Sequence, residues 1–284
     1  MINQAAVGVR RNQWGLHSMA IDTSVLDTVR PSRRSVVRGA AWSVPVVSMA
    51  ATAPAFAASC GSTDVNYALD WNNTARTTYA PPSTPTGAGT RTGTATALAP
   101  AGSGGSSLNV TFASTTVGTV NRTANNLIVG GTNVGGLGGP GLQLTHDNIQ
   151  TGRGNRQEVV ITFSRPVTGL SFGIVDIDSS TGNWYDQVEL TGTTGVGTNA
   201  AAYTQSPVAT TTDNSVVVWG DGSQGQPWRP RAGNLNVGSG QSAGNKVVTF
   251  TTAVKTLTLV YWNSAGGGNQ IIALSDFNFT AKGC

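Results

Sequence analysis

Three aspartates near the middle of the chain are spaced so that they could bind a cation. Residues 170–175 alternate in the manner of a β-strand, with apolar side chains on one face, and the same face continues into Asp176 and Asp178. After a short loop, Asp186 begins a second alternating stretch, 186–190. If the two stretches pair through that loop, the three carboxylates meet at one rim of the core.

Carboxylates at close range repel one another unless a cation lies between them. Calcium prefers oxygen ligands, so Asp176, Asp178 and Asp186 predict a calcium site, with Asn183 or loop carbonyls completing the ligand shell. The alternative is that the same aspartates cap turns by accepting local hydrogen bonds. Their spacing is not that of an EF-hand loop, and the sequence leaves both interpretations open.

Aromatic residues near predicted strand ends form a second set of candidates, for stacking on sugar rings. The predicted ligand-binding residues are Trp184, Tyr185, Trp228 and Arg229, with Trp219 and Trp262 as further stacking candidates. Trp228 and Arg229 lie in a polar stretch, 221–231, which offers few core partners. The alternative is that Trp228 packs over a sheet edge and Arg229 stacks on it.

Two residue patterns match catalytic or cofactor-binding motifs, but the secondary structure that each motif needs is not predicted around them. Residues 240–244 fit G-x-S-x-G, which needs a helix after the serine, whereas a strand is predicted to follow. Residues 136–141 fit G-x-G-x-x-G, and again a strand follows instead of a helix. Glu158 and Glu189 are the only glutamates, and nothing in the sequence brings them together as a glycosidase acid pair. We therefore expect no enzyme and no catalytic residues.

Composition and charge indicate an all-β protein without a polyanionic partner. Only 11 % of the 284 residues are charged, 37 are glycine, and helix formers such as Glu, Lys, Leu and Met are scarce. Six of the 17 basic residues and two of the 13 acidic residues lie in the first 57 positions, which leaves eleven of each sign in the rest. A domain without formal net charge has no global field that attracts nucleic acid.

The N-terminal residues have the pattern of an export signal. Residues 32–38, SRRSVVR, resemble the twin-arginine signal; residues 39–53 are mildly apolar, and residues 55–57 form a small-x-small cleavage site. The apolar run is too short and too polar to span a bilayer, which takes ~20 apolar residues. We expect a cleaved signal peptide at 1–57 and a mature domain at 58–284, secreted or in the cell envelope, with no membrane span.

The two cysteines bracket the mature chain. Cys60 lies near its start and Cys284 is its last residue. Disulfides persist outside the cell, and an even cysteine count in an exported protein favours pairing over free thiols. We predict a Cys60–Cys284 disulfide that joins the two termini.

Strand patterns predict the fold of the mature chain. Short alternating stretches recur along it, and no convincing helix follows the leader. Residues 74–107 are rich in Thr, Pro and Gly; part of this segment, 90–98, could form a Thr/Ala edge strand, and the rest is expected to be loop. The number and spacing of the strands predict a single domain, a two-sheet β-sandwich of jelly-roll type.

A resemblance adds to this interpretation. Residues 163–172, FSRPVTGLSF, followed by the aspartate pair at 176–178 and by the Tyr-Asp-x-Val run at 185–188, resemble a β-sandwich module of bacterial, actinobacterial-type cell-surface proteins. These proteins are grouped loosely as "choice-of-anchor" or lectin-like domains. The resemblance implies a sandwich at the cell exterior and does not imply an enzyme.

The expected function is a non-catalytic binding or structural module at the cell exterior. Calcium would stabilise it, and its partner would be an extracellular glycan or cell-wall polymer. The alternatives are a secreted carbohydrate-active enzyme and a subunit of a surface layer or fibre.

Overall fold

The computed structural model describes residues 63–147, 150–195, 199–207 and 218–284. They form seventeen strands and one short 3-10 turn, Val134–Gly136. The strands are β1 (Asp64–Leu69), β2 (Thr77–Ala80), β3 (Thr90–Ala97), β4 (Leu108–Val117), β5 (Asn121–Arg122), β6 (Ile128–Gly130), β7 (Gly141–Asp147), β8 (Arg156–Val175), β9 (Ser179–Ser180), β10 (Trp184–Thr193), β11 (Tyr203–Pro207), β12 (Val218–Trp219), β13 (Arg229–Pro230), β14 (Lys246–Phe250), β15 (Val254–Asn263), β16 (Gln270–Leu274) and β17 (Phe277–Lys282).

The all-β prediction is confirmed, because every strand pairing within these ranges is antiparallel. No helix in the described ranges is long and apolar enough to cross a membrane. The predicted signal peptide, 1–57, lies outside these ranges.

Strand β8 is the longest element and belongs to both sheets. Its first half pairs with β4 and β15, and its second half pairs with β14, β16 and β17. The ladder with β15 is irregular between Thr162 and Val167. Pro166 lies in that irregular stretch, where its missing amide hydrogen costs no regular ladder hydrogen bond. The strand therefore passes from one sheet to the other without a loop.

The two sheets share β8 and pack as a sandwich. One sheet has the order β2-β3-β4-β8-β15-β10-β9. In the other, β14 flanks β8 and is extended by β11, while β16 and β17 also pair with β8 and carry β7 and β1. Rings meet across the interior: the centroids of Phe112 in β4 and Phe277 in β17 lie 6.0 Å apart. The finer prediction, jelly-roll connectivity, stays a prediction.

One end of the interior is built from aromatic rings, and we call it the aromatic end. It comprises Trp71, Tyr79, Phe112, Phe172 and Phe277. The ring centroid of the fully buried Phe277 lies 4.5 Å from that of Phe172 and 6.2 Å from that of Trp71. Burying a side chain of this size contributes about 1.5–3 kcal/mol. This end is therefore a large source of stability.

The other end of the same interior is polar, and we call it the polar end. It comprises the buried residues Arg122, His146, Gln157, Tyr261 and Gln270. His146 lies opposite Gln270 in one ladder and opposite Arg122 in another, and Gln157 lies opposite Tyr261. The rings of His146 and Tyr261 join the two sheets, with centroids 4.6 Å apart.

Position along the strands separates the two ends. Phe112 lies opposite Ile161 in the ladder between β4 and β8, and Gln157 lies four residues earlier in β8. On the other sheet, β16 changes from the apolar Leu274 and Ile272 to Gln270. The core thus becomes polar along its own length.

The central hairpin expected from the sequence forms only at its tip, where Ser179 and Ser180 of β9 lie opposite Tyr185 and Trp184 of β10. We expected the strand that contains Asp176 and Asp178 to pair with the strand that begins near Asp186. Instead, the second half of β8 lies in one sheet, and β10 lies in the other between β15 and β9. Asp178 therefore meets Asp186 across this short hairpin, while Asp176, directly after β8, takes no part in it.

Candidate functional site

The chain leaves β8 through a left-handed residue, Asp176, whose φ is 70°. β8 ends at Val175, so strand alternation stops before it reaches Asp176 and Asp178. The expectation that these two side chains share a strand face is therefore wrong. Aspartate is one of the few residues whose short polar side chain tolerates the left-handed region. The two aspartates consequently have different surroundings.

Asp178 and Asp186 are joined by a reciprocal pair of hydrogen bonds. The Asp186 amide donates to the Asp178 carbonyl at 3.1 Å, and the Asp178 amide donates to Oδ2 of Asp186 at 3.0 Å. The Asp178 carboxylate also accepts from Trp184 Nε1 and, at 2.7 Å, from the Val237 amide. Oδ1 of Asp186 accepts from the Tyr261 hydroxyl at 2.9 Å. All four carboxylate oxygens accept hydrogen bonds from the protein, and two of the donors, Val237 and Tyr261, are distant in sequence.

Burial raises the pKa of all three aspartates. For Asp186 the pKa lies well above its usual range because of burial, and the nearby charges of Asp178 and Asp176 raise it further. Burial and then the charge of Asp178 raise the pKa of Asp176 to about 7. No group of three or more His, Cys, Asp or Glu within the described ranges is placed to hold a metal ion. Calcium at these aspartates stays a prediction.

Tyr261 connects the carboxylates to the polar end of the core. Its hydroxyl donates to Asp186, and its ring packs against His146. Burial lowers the pKa of His146 to about 3, so the ring is neutral at physiological pH. Among the described residues, neither nitrogen of His146 and neither side-chain amide atom of Gln270 has a hydrogen-bond partner. Buried polar atoms of this kind are uncommon and costly.

Asp176 lines a cavity of about 290 Å³ on the outer face of the sheet. The walls are formed by the loops 131–134 and 239–240 with Asp176, and the floor by Gln143, Ile271 and Ala273. Neighbouring residues of β7 and β16, such as Leu144 and Ile272, belong to the core. Because side chains alternate along a strand, the floor residues face away from that core.

Gly135 fixes the position of the first wall loop. Its φ is 63°, and a Cβ on it would lie 2.7 Å from Cβ of Val175, so a larger residue does not fit. The Gly135 amide donates to the Ser239 carbonyl at 2.7 Å, and Asn245 Nδ2 donates to the Gly135 carbonyl at 2.7 Å. These bonds join the two wall loops. The sequence marks a glycine-rich turn here and carries no signal for the cavity beside it.

Trp228 is fully buried, so its ring has no open face for a sugar. Its backbone exchanges hydrogen bonds of 2.8 and 2.9 Å with Val188 of β10, and its indole N–H donates to Gln205. Gly222 leaves room for the ring, since a Cβ there would lie 2.6 Å from it. Trp228 is thus a core anchor, and this corrects the ligand-binding role predicted for it.

The residues next to Trp228 belong to a two-stranded ribbon, β12 and β13, that presents an exposed ring. Trp219 lies opposite Arg229, and Val218 lies opposite Pro230. Val218 and Pro230 are buried, whereas Trp219 is 51 % exposed and Arg229 half-buried. The outer face of the ribbon therefore carries an indole ring beside a guanidinium group.

Tyr185 lies next to the ribbon, and with Trp219 and Arg229 it forms what we call the ribbon surface. The Tyr185 hydroxyl donates to the Pro230 carbonyl. Burial raises the pKa of Tyr185, and the neighbouring charge of Arg229 opposes that shift. Trp184 is half-buried and directs its indole nitrogen to Asp178. Of the four predicted ligand-binding residues, Arg229 therefore lies opposite the exposed Trp219, and Tyr185 lies near Arg229.

Cys60 lies outside the described residues, so the Cys60–Cys284 disulfide stays a prediction. The end of the chain does lie beside the segment that follows Cys60, because the Gly283 amide donates to the Thr63 carbonyl at 2.9 Å. The resemblance to surface β-sandwich modules also stays a prediction. A scan against protein-family models, a search of curated proteins and a search of solved structures found no match to this chain.

Proposed function

We propose that the protein is a non-catalytic binding module of the cell exterior whose partner is an extracellular glycan or cell-wall polymer. The observation that carries this proposal is the ribbon surface, where the 51 % exposed ring of Trp219 lies opposite Arg229. Within the described ranges, Trp219 and Leu137 are the large apolar side chains that are exposed. Of the two, only Trp219 has an arginine as its cross-strand partner and a tyrosine beside that arginine.

The chemistry of the ribbon surface suits a sugar polymer. An indole face offers a flat apolar platform for a sugar ring, and a guanidinium group offers several hydrogen-bond donors to hydroxyl groups. The ribbon is held in place by the buried Trp228 and its two backbone bonds to Val188. A surface fixed in this way loses little conformational freedom on binding, which favours affinity.

The state of the acidic and basic side chains supports a non-catalytic role. Oε1 of Glu158 lies 2.6 Å from Nη2 of Arg156. The carboxylate of Glu189 forms a bidentate ion pair with Arg153, in which Nε and Nη2 each lie 2.9 Å from a carboxylate oxygen. A glycosidase needs one carboxyl group as an acid and another as a base or nucleophile, both open to the substrate. The glutamates that would supply this chemistry are bound to arginines, and His146 is fully buried.

The exterior location rests on the sequence, through the export pattern at 32–38 and the resemblance carried by 163–172. A glycan or wall polymer is the partner that such a location offers. The sequence thus supports the location outside the cell, and the ribbon surface supports the binding of a glycan.

Affinity electrophoresis of the mature domain on a panel of soluble polysaccharides tests the proposal. We expect retardation by at least one polymer, and Trp219→Ala should weaken it by about tenfold or more, as loss of a central aromatic contact does. Trp219→Phe should retain part of the affinity, because a smaller ring still stacks. Leu137→Ala is the matched control, since it removes the other exposed apolar side chain and should leave binding unchanged.

The same experiment separates the alternatives. Release of shorter sugars from a retained polymer would establish a carbohydrate-active enzyme in place of a binding module. Concentration-dependent assembly without any ligand would establish a layer or fibre subunit. Retardation that Trp219→Ala leaves intact would refute the ribbon surface as the binding site.

A further inference from the structure

The cavity beside Asp176 shares no residue with the ribbon surface and has a different chemistry. We propose that it binds a small, ring-sized molecule that carries a primary ammonium group, the chemical class that includes amino sugars. This site goes beyond the proposed function, and the two can fail independently.

The size of the cavity limits the ligand to about one ring. Its volume of about 290 Å³ lies at the lower end of the range for small-molecule pockets. Ile271 and Ala273 give part of the floor an apolar surface, and Gln143 places a side-chain amide beside them. Such a floor fits a ring with one apolar face and polar substituents at its edge.

The charge of the cavity selects a cation. Among the described residues, Asp176 is the only ionisable one that lines it, and no lysine or arginine does. The Asp176 carboxylate accepts no hydrogen bond from another described residue, in contrast to the fully hydrogen-bonded carboxylates of Asp178 and Asp186. A half-buried carboxylate without a partner gains most from a charged donor, and an ammonium–carboxylate hydrogen bond is among the strong kinds.

The walls supply the remaining polar groups. Thr132 and Ser239 carry hydroxyls at the cavity, and Asn133 carries an amide whose Oδ1 already accepts from the Gly138 amide at 2.7 Å. That bond holds the Asn133 side chain in place, which leaves its amide hydrogens for a ligand. The cavity therefore offers one anionic group for an ammonium group and several neutral groups for hydroxyls.

The backbone conformation of Asp176 keeps its carboxylate in the cavity. With φ at 70°, the side chain departs from the strand pattern, and it takes no part in the hydrogen bonds that join Asp178 and Asp186. Asparagine tolerates the same conformation as aspartate, so Asp176→Asn removes the charge and keeps the backbone. The substitution is therefore a clean probe of the carboxylate.

The test compares two ring-sized probes that differ in one group. Trans-4-aminocyclohexanol has an amine that stays protonated from mildly acidic to mildly alkaline pH, and trans-1,4-cyclohexanediol replaces that amine with a hydroxyl. Binding to the mature domain is measured by ligand-observed NMR in the presence of chelator, so that calcium does not contribute. We expect the affinity for the amine to exceed that for the diol by about tenfold or more, as a charge-assisted hydrogen bond implies.

Three variants decide the outcome. Asp176→Asn should abolish the preference for the amine, and circular dichroism should show an unchanged fold. Asp64→Asn, which removes a carboxylate that contacts Lys282 at the surface, is the charge-matched control and should bind like the wild type. Trp219→Ala should also bind the amine normally. Equal affinity for both probes, or an amine preference that survives Asp176→Asn, would overturn the inference whatever the ribbon surface does.

Discussion

The two ends of the sandwich interior differ in almost every physical respect. At the aromatic end, rings such as Phe277 and Phe172 stack with centroids 4.5 Å apart. At the polar end, His146 and Gln270 are buried with unpartnered nitrogen and oxygen atoms, within the part of the chain that is described. The first arrangement lowers the free energy of the folded state, and the second raises it.

Stability and binding chemistry are located at different ends of this fold. Asp186 lies opposite Asn263, two residues beyond Tyr261 of the polar end, and Tyr185 of the ribbon surface directly precedes it. Asp176 leaves β8 on the same side of the core, within electrostatic reach of Tyr261. Both candidate sites therefore adjoin the polar end, while the aromatic end supports them from a distance.

Phe277→Ala should have the largest effect, because it removes a fully buried ring from the middle of the aromatic end. We expect the free energy of unfolding to fall by about 3–5 kcal/mol, as for other buried Phe-to-Ala changes. Chemical denaturation of the mature domain measures it, with Leu137→Ala as an exposed control. A loss below about 1 kcal/mol would show that the aromatic end is not the main source of stability.

Asp176→Asn should change how stability depends on pH. The pKa of Asp176 in the folded protein, about 7, exceeds its ordinary value, so the folded state binds more protons than the unfolded state in the window between them. The contribution of Asp176 to the free energy of unfolding therefore increases as pH falls through 7 and decreases as pH rises. The variant should melt a few degrees higher than the wild type at pH 8, and the difference should shrink towards pH 4.

His146 changes stability with pH in the direction opposite to Asp176, and the comparison of the variant with the wild type controls for it. Its pKa of about 3 lies below the ordinary value, so the unfolded state binds more protons and stability falls as pH drops below 6.5. Both proteins keep His146, and the comparison between them cancels its effect. A difference that does not vary with pH would show that the Asp176 carboxyl is not perturbed.

Gln270→Met should stabilise the protein, in contrast to any truncation at the aromatic end. Both side-chain amide atoms of Gln270 lack partners among the described residues, so an apolar side chain of similar shape removes a desolvation cost. We expect a gain of about 1 kcal/mol in the free energy of unfolding. A loss of similar size would mean that buried water satisfies the amide.

Calcium should have the smallest effect, because the oxygens of Asp178 and Asp186 already accept hydrogen bonds from the protein. On this basis the melting temperature should be the same in millimolar calcium and in chelator. A native-state ligand at a hundredfold excess over its Kd adds about 2.7 kcal/mol. A clear rise in calcium that Asp178→Ala removes would establish the metal site predicted from the sequence and reject the capping role.

Local patterns in the sequence predicted the strands, and the structure confirms an all-β protein. The alternation of Leu257, Leu259 and Tyr261 is an example, since all three are fully buried in β15. Strand neighbours depend on contacts between distant residues, so the expected hairpin of β8 and β10 was wrong. The chain likewise breaks between β16 and β17, where Asp276 accepts a hydrogen bond from the Trp71 amide at 2.9 Å.

The candidate site was predictable only in part, for similar reasons. Arg229 lies opposite an exposed tryptophan with Tyr185 nearby, but the polar sequence around Trp228 gave no sign that its ring is buried. That burial needs the room left by Gly222 and the pairing with Val188, and both lie outside the local pattern. The left-handed backbone of Asp176 was also hidden, because strand periodicity carries no information about the residue that ends a strand.

Binding around the polar end is tested most directly by NMR shift mapping on the isotope-labelled mature domain. The sample is titrated with a retained polysaccharide fragment and, separately, with trans-4-aminocyclohexanol. We predict that the fragment shifts the indole N–H of Trp219, that the amine shifts the amides of 131–134 and Asp176, and that the indole N–H of Trp71 stays fixed. Saturable shifts centred on Trp71 and the aromatic end, with none at Trp219 or Asp176, would contradict the account.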